Sequence, residues 1–252
     1  MWQPFLLEAR YELTKLARLR VFAFMTLGFP LMFYLLFGVA LAGSRATGGQ
    51  NLATYMLGTY GAFGVIGAAL FSFGVSIAVE RAQGWLLLKR ATAMPPLVYV
   101  MGKVGATMVF CALVVVCMGV AGAFLGGVRL SGVQWLSLTL ALVVGSIPFC
   151  ALGLMLGFIC GPNSAPGIVN VVHLLGAFSS GLWVPLNLLP RAFGAIGPWL
   201  PQYHLAQLAL AAIGQSPSAH PVQNVVGLAV WTIIAVFGAT AAYRRDEGQL
   251  YG

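Results

Sequence analysis

The residues able to move protons, attack a carbonyl or hold a metal are few and poorly placed for each task. The five acids, Glu8, Glu12, Glu80, Asp246 and Glu247, sit at the edges of apolar runs and none lies inside one. A proton-driven carrier keeps a carboxylate or a histidine chain at membrane depth as its relay. Of the three histidines only His173 falls in an apolar run, with His204 in a proline-broken segment and His220 in a loop. A lone histidine of this kind is expected to be a hydrogen-bonded core residue, not a relay. There is no HExxH, and three scattered histidines without internal carboxylates make no metal site of ordinary spacing. Ser179 and Ser180 precede Gly181, a setting that suits an intramembrane nucleophile. That motif needs glycine two residues before the serine, and Phe178 stands there. Without an acid in the run, acyl transfer has no supported base. Cys111, Cys117, Cys150 and Cys160 show no CxxC spacing, so neither a disulfide framework nor a zinc site is indicated. The pair Gly102-Lys103 is no phosphate-binding loop, because Leu97 and Val104 stand where GxxxxGK[ST] requires Gly and Ser/Thr. No catalytic residue, metal ligand or bound cofactor is expected on this chain.

Composition accounts for that scarcity. The chain has 252 residues, 60% hydrophobic and 7% charged, with mean hydropathy +0.92. Soluble domains carry roughly 25% charged residues, so this is an all-α integral membrane protein. Aqueous enzyme folds, nucleic-acid binders and disordered regulators are excluded. The net charge of +8, from 13 Lys+Arg against 5 Asp+Glu, is that of basic loops held on the cytoplasmic side near anionic headgroups. No cleavable signal peptide is expected, since the first apolar run follows twenty mixed residues and is long enough to stay in the bilayer.

A span takes about 20 apolar residues. Six runs qualify: 21–43 with Pro30 inside, 52–79, 104–126, 133–159 with Pro148 inside, 167–184 and 222–243. Between the fourth and fifth, CGPNSAP at 160–166 is a tight connection. Residues 185–221 are apolar but interrupted by Pro190, Pro198 and Pro201 and by Arg191, Gln202, His204 and Gln207. Such backbone is tolerated at membrane depth only when buried in protein or lining a cavity, so re-entrant helices on the extracytoplasmic side are expected. Six spans put Arg10, Lys15, Arg18, Arg20, Arg81, Lys89, Arg90, Lys103, Arg244 and Arg245 on one side and only Arg45, Arg129 and Arg191 on the other. The positive-inside rule then gives both termini in the cytoplasm. A seventh span would carry Arg244 and Arg245 across.

Four further patterns position these spans. Over residues 1–20, Phe5, Leu6, Ala9, Leu13 and Leu16 recur at helical spacing while Glu8, Arg10, Glu12, Lys15 and Arg18 point elsewhere, as in an amphipathic helix lying in the inner headgroup layer. Gly122/Gly126 and Gly153/Gly157 are GxxxG pairs suited to close helix approach. The cytoplasmic loop 80–103 contains Pro95-Pro96, which can start a short helix near Met94 that projects apolar side chains into the cytoplasm. A short exposed helix of that kind wants a groove on a partner, or else rests on lipid.

Two segments carry a family resemblance. The loop reads E-R-x-x-G…L-x-R-A-T-x-x-P-P-x-x-Y…G-K, and Ser180–Leu210 reads SGLWVPLNLLPRAFGAIGPWLPQYHLAQLAL. Together with the N-terminal helix and six spans they resemble ABC-2-type permeases, the membrane subunits of ATP-binding-cassette exporters. The resemblance covers essentially the whole chain as one transmembrane domain, 1–252. It implies a multi-pass protein of a bacterial inner membrane that homodimerises and binds two copies of a cytoplasmic ATPase, which hold the ATP and Mg. It implies a coupling helix at Met94, Pro95, Pro96, Leu97, Val98 and Tyr99. Glu80, Arg81 and Lys103 become charged anchors of that lever. The outer gate would hold Ser180, Gly181, Trp183, Pro185, Leu189, Pro190 and Trp199; a plain aromatic belt is the other reading of Trp183 and Trp199. The cargo would be a drug, a lipid or a lipid-linked glycan, moved outward by alternating access. A passive channel or a non-transporting membrane anchor is the alternative.

Overall fold

A computed structural model describes the chain except residues 1, 19, 42–51, 87, 89–95, 216–219 and 252. The described residues contain helices and no strand, as expected where each backbone polar group must be satisfied without water. Helix α1 is Trp2–Arg18. Rod α2, residues 20–41, joins α-helical Arg20–Ala23 and Phe29–Phe33 to wider π turns at Phe24–Gly28 and Tyr34–Leu41. Pro30 stands in the first turn after a π segment, so the expected kink takes the form of a change in winding. Then come α3 (Leu52–Ala82), α4 (Pro96–Phe124), α5 (Gly132–Val144) and α6 (Ile147–Ile159). They are followed by α7 (Ala165–Ser179), a 3-10 turn at Leu186–Leu188, α8 (Arg191–Ile196), a second turn at Gly197–Trp199, α9 (Pro201–Ala212) and α10 (Pro221–Tyr251).

Helix α3 is the axle. Every residue from Leu57 to Leu70 is buried, which is what a helix apolar on all sides requires. Helix α6 crosses it closely: a Cβ on Gly153 would stand 3.1 Å from Leu70 O, and one on Gly157 3.1 Å from Gly74 O. That GxxxG pair therefore meets a neighbouring backbone, as small residues allow. The pair at the end of α4 does not; Gly122, and Gly126 just past the helix, make room for the hydroxyl of buried Tyr34. Helix α10 lies at the edge, with Val222, Val226, Ile233 and Phe237 exposed.

Among the described residues, four helical stretches are long and apolar enough to cross a bilayer: Leu52–Ala82, Leu97–Phe124, Gly132–Ile159 and Pro221–Arg245. The expected first span contains the shorter helix Thr26–Ala40, and the expected fifth overlaps the shorter helix Ala165–Ser179. Fifteen residues reach about 22 Å at 1.5 Å each, against about 30 Å of hydrocarbon. The fifth run ends early, not at 184, because Gly181 takes φ +79° and turns the chain. The expected 133–159 span is two helices, bent at Gly145 and Ser146 with Pro148 in the first turn of α6.

Candidate functional site

Charge at one end of the bundle organises the site. In α1, Glu8, Glu12, Lys15 and Leu16 share a face by helical spacing. The structure turns this face inward against α4: Glu12 and Leu16 are 1% exposed, while Leu6, Leu7 and Tyr11 are exposed. Glu8 and Glu12, expected to point away from the apolar stripe, are thus buried on the same side as Leu16. The physical reason lies on α3 and α4, which bring Glu80 and Lys103 to the same spot, where buried charges must find partners. Lys103 has no exposure, and its Nζ donates to Glu12 Oε2 at 2.8 Å, Glu80 Oε1 at 3.0 Å and Ser76 Oγ at 3.1 Å. Lys15 donates to Ser76 Oγ at 2.8 Å and to Glu80 Oε1. Ser76 Oγ donates to Glu80 Oε1 at 2.7 Å, and the Tyr99 hydroxyl to Glu80 Oε2. Two carboxylates and two ammonium groups cancel, and three helices are clasped together. Gly102 permits the approach, since a Cβ there would stand 2.8 Å from Glu8 Cγ.

Arg81 turns the other way. Its guanidinium donates to Phe158 O and, at 2.9 Å, to Cys160 O, capping the C-terminal carbonyls of α6 in the manner that suits a cation. Just beyond, Gly84 at φ +74° stops α3. Met94 and Pro95 lie outside the described residues. From Pro96 the chain is the first turn of α4, so Pro96, Leu97, Val98 and Tyr99 of the expected short helix belong to a helix that runs on to Phe124. Leu97 is 69% exposed, whereas Val98 and Tyr99 turn into the protein.

Beside the clasp lies a cavity of about 820 Å³ between α1, α2, α3 and α7. Glu12, Lys15 and Glu80 line one end; Phe22, Phe29, Phe63 and Phe71 line its body, with Asn170 and His173 on the α7 wall. His173 Nε2 lies 3.1 Å from Phe63 O, so the expected role as a hydrogen-bonded core residue matches this geometry.

At the opposite end, Ser180 is buried with Oγ donating to Ala177 O at 3.3 Å. Gly181 packs under Leu186. Trp183 stacks on Phe33 (5.8 Å, 19°) and meets Phe63 edge-on at 5.5 Å. Pro185 and Leu189 flank the 3-10 turn, and Pro190 precedes α8. Trp199 is not part of this group: it is 78% exposed, and its carbonyl accepts from Trp231 Nε1 at 2.9 Å. His204 Nδ1 donates to Asn224 Oδ1 at 3.0 Å, tying α9 to α10.

Residues 5–213, from the clasp through the far-end turns, match the ABC-2 type transporter family. The chain belongs to that family. It is also 28% identical over 237 residues to "Putative transport permease YvfS" of Bacillus subtilis (strain 168), covering 94% of this chain and 95% of the relative. As an ABC-2 type transporter it is a multi-pass membrane protein. Sequence reasoning singled out Glu80, Arg81 and Lys103 in this ABC-2 type chain but missed Glu12, Lys15, Ser76 and Asn170. The available signal was the Glu8-Glu12-Lys15 stripe in a chain with only five acids.

Proposed function

We propose that this transporter subunit is the membrane half of an ATP-driven exporter, with six spans, both termini in the cytoplasm, and a second copy completing the path. Two ATPase subunits on the cytoplasmic side hold ATP and Mg. The cargo is hydrophobic or amphipathic, and the membrane is the inner membrane of a bacterium. The observation that carries this reading is the large apolar cavity ending on the buried clasp. Leu97, exposed on the first turn of α4, is the contact offered to the ATPase, next to Pro96 and the preceding Met94 and Pro95. A push there reaches α3 and α1 through Tyr99–Glu80 and Lys103–Glu12, while Arg81 couples α3 to α6. Packed rigid elements of this kind switch between two arrangements. Ser180, Gly181 and Trp183, with Pro185, Leu189 and Pro190 above them, form the outer gate, and Trp199 anchors it at the interface.

The test is reconstitution of the chain in proteoliposomes with and without an ABC ATPase that co-purifies with it from membranes, following a fluorescent amphiphile. ATP-dependent movement needing both proteins is expected. Leu97→Asp should insert normally and lose ATPase binding or stimulated transport. Equal flux without any ATPase would establish the passive channel instead, and binding of the ATPase with no flux at all would establish the anchor.

A further inference from the structure

Of the polar side chains on the cavity wall, Thr26 and Ser72 are bonded to Phe22 O and Thr107 Oγ1, and two more stand on α7. Asn170 and His173 are three residues apart on α7, hence on one face, and both line the cavity. The Asn170 side chain makes no hydrogen bond with any described residue. His173 is bonded at Nε2 only, to the Phe63 carbonyl. A carbonyl oxygen can only accept, so Nε2 carries the proton and Nδ1 of the neutral ring is a bare acceptor. The ring is held in place. It stacks on Phe63 at 4.2 Å and 13°, meets Phe71 edge-on at 6.0 Å, and fills the space left by Gly67, where a Cβ would stand 2.8 Å from Cε1.

Polar groups in apolar surroundings cost free energy until something bonds to them. Around these two the wall is Phe22, Phe29, Phe63, Phe71 and Leu174. The charged lining residues Glu12, Lys15 and Glu80 are ion-paired within the clasp, where Glu12 Oε1 alone is buried without a hydrogen bond, so their charges balance and the described lining holds no net charge for a guest. What the α7 side of the wall offers is an acceptor nitrogen, an amide able both to donate and to accept, and aromatic surface.

We propose that the cavity selects an uncharged amphiphile carrying a hydroxyl or amide N–H on an apolar body, read by Asn170 and His173 as specificity-determining residues. The guest's O–H or N–H donates to His173 Nδ1, and the Asn170 amide bonds the same group's oxygen. This rests on the reading of the cavity as the cargo's path. An ionised head would have to leave water for a wall with no counter-charge to spare.

The test uses the full chain in lipid nanodiscs and four photo-probes sharing one diazirine-bearing C16 chain: the alcohol, the alkane, the carboxylate and the trimethylammonium. Labelled peptides are mapped by mass spectrometry. The alcohol is expected to label α3 and α7 at about tenfold lower concentration than the alkane, the difference one hydrogen bond makes in affinity, and the two ionised probes are expected to label least. Asn170→Leu and His173→Phe should bring the alcohol down to the alkane's level while alkane labelling persists, which shows that the cavity still forms. His173→Gln, which keeps an acceptor, should retain part of the preference. Equal labelling by alcohol and alkane in the wild type overturns the proposal, as does preference for either ionised probe. An Asn170→Cys disulfide between two copies, formed with loss of all cavity labelling, overturns it in favour of a helix interface. Should every probe label elsewhere while ATP-driven transport persists, the cavity itself is not the path, and the earlier reading of it fails with this one.

Discussion

Lys103 is an ammonium with no solvent exposure, held by two carboxylates and a hydroxyl. Removing one partner of a buried ion pair leaves the others charged and unmatched, at a typical cost of about 3–5 kcal/mol. Lys103→Met is therefore expected to lower the thermal stability of the purified protein sharply. Adding Glu12→Leu should restore most of it, because that change removes the stranded carboxylate and fills its place with an apolar side chain. Matching melting curves for wild type and Lys103→Met would show that the clasp contributes nothing. The sequence reading placed Glu80 and Lys103 at a membrane edge but not against α1. An apolar stripe and a charged stripe on one helix share the same period, so periodicity alone does not say which faces protein. That choice is made by α3 and α4, whose charges arrive 65 to 91 residues away along the chain.

At the scale of the helix, charge and glycine decide where elements stop. Arg81 belongs to α3 but serves α6, donating to the carbonyls of Phe158 and Cys160. Arg81→Ala should leave those carbonyls without their cation, a loss of about 1 kcal/mol. Hydrogen exchange in the last turn of α6 and the start of α7 is expected to speed up, with α10 unaffected. Unchanged exchange there would reduce Arg81 to a membrane-edge anchor. The helical order, the broken outer segment and the close approach at Gly153 and Gly157 were legible because each has a local cause in proline, glycine or an apolar run. The π winding of α2 and the early end of α7 were not. The first depends on how the rod is fitted against its neighbours and the second on the one backbone angle that Gly181 adopts, and composition averages over both. Likewise Pro95-Pro96 marks a helix start, but the length of the helix that follows is set by the continuous apolar surface of α4.

At the scale of the whole molecule, two of the six apolar segments overlap described helices, Thr26–Ala40 and Ala165–Ser179, that are short for a bilayer. Charge supplies the argument. Arg81 and Lys103 lie at the end of the bundle where α1 is clasped, whereas Arg129 and Arg191 lie at the opposite end, in the segments joining α4 to α5 and α7 to α9. Adding Arg244 and Arg245 to the first group needs α2 and α7 to cross, since otherwise the chain would not return to that side in register. A short helix crosses where the bilayer thins or where neighbours cover its ends, and buried Tyr34 and His173 on these two segments are held by α4 and α3 respectively. The prediction is therefore six crossings. In a version freed of Cys111, Cys117, Cys150 and Cys160, single cysteines at Arg18, Gln83, Asn163 and Arg244 should react with a membrane-impermeant maleimide only after the vesicles are opened to expose the cytoplasmic face. Those at Arg129 and Arg191 should react from outside intact cells. If Asn163 and Arg191 reacted from the same side, α7 would not cross. Arg244 would then stand opposite Gln83, and the charge asymmetry that orients the chain would have to be explained without six spans.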